Sequence, residues 1–269
     1  MSGISRSLVL VACVAGVLFL VSSAHAFFPE TQEVADKIAT QYKGLKSWRV
    51  ELGLNGTLDS RIRCWRKDDL WRQEWVDASG NASRLVRAAV GSGQRIDAVY
   101  PGSSDAPYPP LGMAWITSPE KEWQRLAIED GVKSYQFLGD RPCIVLGAEH
   151  GDERSSQVWI DLERHVPLRL IAPSGIQWRW SKYYSLGNHL LPTQLAILFP
   201  QGKRFVFDLE WRQVATDMSR SLFSPEELKE EFGGAVDLEV EEPLLRFLLD
   251  NLPPGSASRS DWRLYGLSR

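Results

Sequence analysis

Three histidines, His150, His165 and His189, and two cysteines, Cys64 and Cys143, are the residues beyond position 26 best suited to nucleophilic, acid–base or metal chemistry. None stands in a pattern that uses it. Each histidine is isolated among unlike neighbours, and neither cysteine has a second cysteine or a histidine at metal-ligand spacing, so no metal site is expected. The chain has no G-x-S-x-G elbow, no H-E-x-x-H helix and no phosphate-cradling glycine loop, and Gly91-Ser92-Gly93 reads as a hairpin turn. The acidic run Asp237 to Glu242 gives no geometry by itself, because carboxylate pairs of the glycosidase kind are brought together only by folding. The expectation is a non-catalytic protein that needs no cofactor.

What the chain does concentrate is aromatic mass. Of its 11 tryptophans, Trp48, Trp65, Trp71, Trp75, Trp159, Trp178, Trp180 and Trp211 fall in strand-like runs. An open, curved sheet must have its concave face covered by helices, filled by side chains or occupied by an apolar guest. Trp65, Trp71, Trp75, Trp178 and Trp180 are therefore candidates for lining a cavity that takes acyl chains. Filling the core is the competing role for each, and a register error of one residue reverses a face.

The elements that must position these residues are legible from periodicity. Val34, Ile38 and Tyr42, with Ala35 and Ala39 beside them, predict an amphipathic helix over Glu30–Leu45, capped near Thr31 and ended near Gly44. From Ser47 the period becomes two. Strands are predicted over Trp48–Leu54, Arg61–Lys67, Leu70–Asp77, Arg84–Val90 and Arg95–Tyr100, with short turns that favour an antiparallel meander. The proline-rich stretch Pro101–Leu111 predicts a loop, and Met113–Asp130 one or two helical turns anchored by Trp115, Trp123 and Leu126. Such an interruption can form a lid over an open sheet face or a plain surface excursion.

Strands resume at Ser134–Leu138, Cys143–His150, Gln157–Asp161, Leu168–Ala172, Ile176–Tyr183, Thr193–Phe199 and Arg204–Gln213. The expected fold is mainly β with covering helices, a single curved antiparallel sheet of about 11–12 strands forming an unclosed half-barrel. Ser224-Pro225-Glu226-Glu227 starts a further helix, and Pro243–Leu252 has the pattern of another. Residues 253–269 form a polar tail, so the domain reads as 27–252.

The first 26 residues have the parts of a cleavable export signal: a positive start ending at Arg6, an apolar run from Leu8 to Val21, and Ala24-His25-Ala26 before a cut after Ala26. The run is short for a bilayer span, which needs about 20 apolar residues. A retained anchor is the competing reading, as is a lipid-anchored form through Cys13, disfavoured because the apolar run continues past it. With Arg6 removed, 30 basic and 34 acidic side chains remain, a formal charge of −4. That balance gives no electrostatic case for nucleic acid. The destination expected is the periplasm, where Cys64 and Cys143 are a candidate disulfide or else two separate buried thiols.

Several segments together resemble the LolA/LolB-like family of periplasmic lipoprotein carriers. They are Tyr42-Lys43-Gly44-Leu45-Lys46-Ser47-Trp48, the strand pair from Cys64 to Arg72, Arg95 to Pro101, the block Tyr135 to Leu146, Val158-Trp159-Ile160-Asp161 and Val166-Pro167-Leu168-Arg169. The resemblance covers most of residues 30–230. It implies an unclosed barrel with a helical lid and a cavity for lipoprotein acyl chains, with membrane release or acceptor proteins as partners. It also implies a basic lid latch on the early strand pair, for which Lys67, with Arg66 beside it, is the match by position; lysine there lacks arginine's planar fork. Relatives of this fold also serve as envelope sensors that bind protein partners, so the fold alone does not assign the role.

Overall fold

The computed structural model describes residues 28–54, 60–77, 84–93, 95–101 and 119–232. The predicted export signal, the loop after Pro101, the start of the Met113–Asp130 helix, the acidic run at 237–242, the Pro243–Leu252 helix and the tail lie outside these residues. No helix among the described residues is long and apolar enough to cross a membrane.

Helix α1 spans Thr31–Gln41 and buries Val34, Ala35 and Ile38, the stripe that the three-to-four spacing requires. Glu33 and Lys37, one turn apart on its exposed side, pair at 2.8 Å. Gly44 follows at φ +92°, a conformation that ends helices and that glycine adopts without a Cβ clash.

Twelve strands then follow: β1 (Ser47–Leu54), β2 (Ser60–Lys67), β3 (Leu70–Asp77), β4 (Arg84–Ser92), β5 (Arg95–Tyr100), β6 (Lys133–Leu138), β7 (Arg141–Leu146), β8 (Gln157–Asp161), β9 (Pro167–Ile171), β10 (Gln177–Leu186), β11 (His189–Leu198) and β12 (Arg204–Val214). All lie in one antiparallel sheet of order β5-β4-β3-β2-β1-β12-β11-β10-β9-β8-β7-β6. Each arm is a meander of neighbours in sequence, and the two arms meet where β1 pairs with β12. β5 and β6 stay at the two edges, so the sheet does not close. Between them in sequence lies α2 (Pro119–Arg125), which packs against α1. A 3-10 turn (Arg220–Phe223) and α3 (Pro225–Phe232) follow β12, and the Ser224 hydroxyl caps α3 by accepting the Glu227 N–H at 3.0 Å.

Two strand boundaries differ from the sequence reading by four residues, the others by three or fewer. β11 starts at His189 rather than Thr193 and contains Pro192, which lacks the N–H a two-sided strand needs. Pro192 sits opposite Tyr183 of β10, and the β11–β12 pairing begins only at Gln194, so no ladder bond is lost. β7 stops at Leu146 rather than His150, because Gly147 turns the chain at φ +89°.

Side-chain alternation and register divide the sheet into an inner face, under α1 and α2, and an outer face. The principal core is on the inner face: Val50, Leu52, Ile62, Ile144, Leu146, Leu195, Ile197 and Phe207 pack with Ile38 of α1 and with Trp123 and Leu126. The outer face of the central strands is charged instead, with Glu51 reached by Arg49 at 2.8 Å and by Arg61 and Arg212 at 3.9 Å.

Candidate functional site

Of the eight strand tryptophans, register puts Trp48, Trp71, Trp75, Trp178, Trp180 and Trp211 on the inner face. Trp48 and Trp211 meet edge to face at 5.5 Å, and the Trp211 indole donates to the Pro192 carbonyl at 2.7 Å. Trp178 and Trp180 stand opposite Ile197 and Leu195 and belong to the same core as α1. They are therefore already covered by the chain's own residues.

Trp71 differs. With Ala89, Ile96 and Val99 it forms a separate cluster that includes no residue of α1 or α2. Its indole lies across Gly91, where any Cβ would come within 2.4 Å of the ring, and its N–H donates to Gly93 O at 3.0 Å. Trp75, two residues along β3, joins the main core, and its buried indole N–H has no hydrogen-bond partner among the described residues. Small Ala89 and Gly91 stand beside large Trp71 and Trp75, while buried Gln73 and Arg87 share the same face, so this end of the inner face is apolar around Trp71 and polar toward Arg87.

Trp65 is a correction to the expected lining. It faces outward and packs with Met218 and Phe223, while the guanidinium carbons of Arg49 and Arg72 lie 5.1 and 5.5 Å from its ring centre. The sequence misses this because Cys64-Trp65-Arg66 alternates in the sense opposite to apolar content: small Cys64 points inward and the large indole outward.

Arg72, 2% exposed, anchors the outer site. It donates to Glu74 at 2.6 Å, to Glu231 of α3 at 2.7 Å and to the Leu222 carbonyl at 3.3 Å, and its guanidinium lies 5.5 Å from the Phe232 ring. Lys67 also points outward and holds the segment after β12, bonding Asp217 at 2.8 Å and the Met218 carbonyl. This ion pair holds the Asp217 carboxyl below its usual range. Arg66 is on the inner face opposite Trp71 and donates to the Asp68 carbonyl at 2.8 Å. Of the predicted latch pair, Lys67 is thus committed to the C-terminal segment on the outer face.

Cys64 and Cys143 are two buried free thiols rather than a disulfide. Cys64 is on β2 and Cys143 on β7, with β1, β12, β11, β10, β9 and β8 between them in the sheet, and their side chains take opposite faces. Burial raises both thiol pKa values, with the Glu74 charge adding to the rise at Cys64; Cys143 is pushed up to about 11. Among the described residues there is no cluster of three or more histidines, cysteines or carboxylates able to hold a metal.

No protein-family model and no curated protein matches the chain. Solved structures do. A LolA superfamily protein from Nitrosomonas europaea is 12% identical, covering 74% of this chain and 99% of its own, with a TM-score of 0.45. A DUF1329 family protein from Desulfovibrio piger is 12% identical over 75% of this chain and 100% of its own, with a TM-score of 0.42. The Pseudomonas aeruginosa MucA/MucB complex is 14% identical over 72% of this chain and 62% of its own, with a TM-score of 0.27. The first carries the family name that the sequence segments resemble. At these identities and TM-scores the likenesses assign neither a role nor a residue.

Buried Tyr42 and half-buried Tyr183 are structural. Tyr42 donates to the Leu190 carbonyl at 2.7 Å and Tyr183 to that of Pro167, and burial drives both phenols far above their ordinary pKa. Both remain neutral hydroxyls that satisfy buried carbonyls.

Proposed function

We propose that this chain is a non-catalytic periplasmic binding protein that shields acyl chains of a lipid or lipoprotein, in lipoprotein sorting toward the outer membrane. The observation that carries the reading is the unequal inner face. The arm under α1 is filled by the chain itself, whereas Trp71, Ala89 and Ile96, 3%, 0% and 8% exposed, pack with half-buried Val99 near edge strand β5 as a separate apolar group that takes in no α1 or α2 residue among the described residues. An acyl chain laid there needs no polar chemistry, since each methylene removed from water contributes about 0.8 kcal/mol.

Native mass spectrometry of protein purified from a periplasm, with fluorescent fatty-acid uptake, tests this. Co-purified lipid or acylated peptide, with uptake lost in Val99→Lys and kept in the outward-facing control Val206→Lys, is the expected result. A clean apo mass with no uptake refutes it.

A second reading, an envelope sensor or scaffold for a protein partner, is favoured by a different feature. β6 is an edge strand on which Phe137 is 70% and Tyr135 41% exposed, on one face. An extended peptide can add to such an edge. Pull-down of a partner by the parent chain, lost in Phe137→Asp while fatty-acid uptake is absent from both, favours this second reading.

A further inference from the structure

At the opposite side of α1 from its start, the helix end, the β8–β9 link and the β10–β11 hairpin converge on an open cavity of about 480 Å³, lined by exposed Lys43, Arg164, Ser185 and Asn188, half-buried His165 and buried His189 among others. Its volume is within the range of small-molecule sites. One wall is held by Asp161, whose Oδ1 accepts the Glu163 and Arg164 N–H groups at 2.9 Å while Arg141 donates to Oδ2 at 3.3 Å. His165 follows at φ +53° and returns its N–H to the Asp161 carbonyl.

The negative end of α1 is largely satisfied: the Ile38 and Thr40 carbonyls accept from Tyr42 and Lys43, and that of Gln41 lies 3.3 Å from Nδ1 of buried His189. In the neutral tautomer that donates Nδ1–H to that carbonyl, His189 offers Nε2 as an acceptor. Lys43 and Arg164 have no ion-pair or side-chain hydrogen-bond partner among the described residues, and Glu163 is the single carboxylate in the lining. Burial and then the Lys37 charge hold His165 below the usual imidazole pKa, against the pull of Asp161, so the lasting cations are Lys43 and Arg164.

We propose that this cavity binds the phosphate ester of a small polyol, the chemistry shared by a glycerophospholipid headgroup and a soluble sugar phosphate. Lys43 and the forked Arg164 take the phosphate. His189 Nε2, Asn188 and Ser185 take the hydroxyl groups. The site does not depend on acyl-chain binding at the tryptophan face.

Calorimetry with glycerol 3-phosphate is the test, using the full exported chain, the double variant Lys43→Ala/Arg164→Ala, and Lys203→Glu in the turn at the far end of β11. Saturable binding that weakens at least tenfold in the double variant, with unchanged circular dichroism and fatty-acid uptake, and that persists in Lys203→Glu, supports the site. Co-sedimentation then identifies the source. Retention on phosphatidylglycerol over phosphatidylcholine vesicles, lost in the double variant, means a lipid headgroup. Binding of the free ester without vesicle retention means a soluble ester. No saturable binding of either probe, or an equal loss in Lys203→Glu, overturns the proposal.

Discussion

Under α1 the sheet offers Trp48, Val50, Leu52, Trp178 and Trp180, and the helix answers with Val34, Ala35 and Ile38; under α3 it offers Arg72, Ala88 and Val90, and the helix answers with Leu228, Glu231 and Phe232. The inner contact is apolar on both sides, non-directional and stabilising in proportion to the area covered. The outer contact includes a guanidinium that is 2% exposed and can be there only because Glu74 and Glu231 meet it. Removing one partner of such a group costs more than the group contributes when intact. The difference teaches that α1 belongs to the principal core, whereas α3 combines a smaller apolar cluster around Leu228 with directional contacts at particular positions.

The most direct way to break this comparison is Ile38→Asp. A carboxylate replacing a side chain that is 1% exposed should cost upward of about 4 kcal/mol and leave little native protein in urea titrations. Arg72→Ala comes next, at about 3 kcal/mol, because Glu74 stays buried with only the longer Arg63 contact at 3.6 Å. Arg72→Met combined with Glu74→Gln should recover much of that loss in a double-mutant cycle, and no recovery would contradict the uncompensated-charge account.

Glu231→Gln should shift stability by less than about 1 kcal/mol, since that carboxylate is half exposed. Asp217→Asn should be smaller still at neutral pH. The Asp217 carboxyl is depressed by Lys67, so whatever it contributes is present above the ordinary carboxylate range and fades as pH falls through its lowered pKa. Acid titration by NMR checks that direction. The smallest expected effect is that of reductant. A bond closing the chain between residues 64 and 143 would be worth about 4 kcal/mol, so an unchanged urea midpoint with and without dithiothreitol confirms two free thiols.

Trp178, an obvious position for testing uptake, sharpens the same contrast. It is 8% exposed within the α1-covered core, so a charged replacement there reads stability, and Val99 on edge strand β5 is the better probe of binding.

Local pattern determined the strands and α1. Trp48-Arg49-Val50-Glu51-Leu52 and Phe205-Val206-Phe207-Asp208-Leu209 alternate because each strand has one apolar face to bury, and Val34, Ala35 and Ile38 repeat with the helical turn. The antiparallel meander follows from the short links. Ser224-Pro225 marked the start of α3 because a cap acts within its own turn.

Tertiary structure alone decided the rest. That β1 and β12 pair in the middle of the sheet, leaving β5 and β6 as edges, is a contact between segments over 150 residues apart that no local period encodes. Trp65 turned outward because the segment after β12 brings Met218 and Phe223 to it, so an apolar residue found a second core rather than the first. Cys64 and Cys143 remained apart for the same reason: their separation depends on sheet order and face, while the sequence supplies only the two thiols.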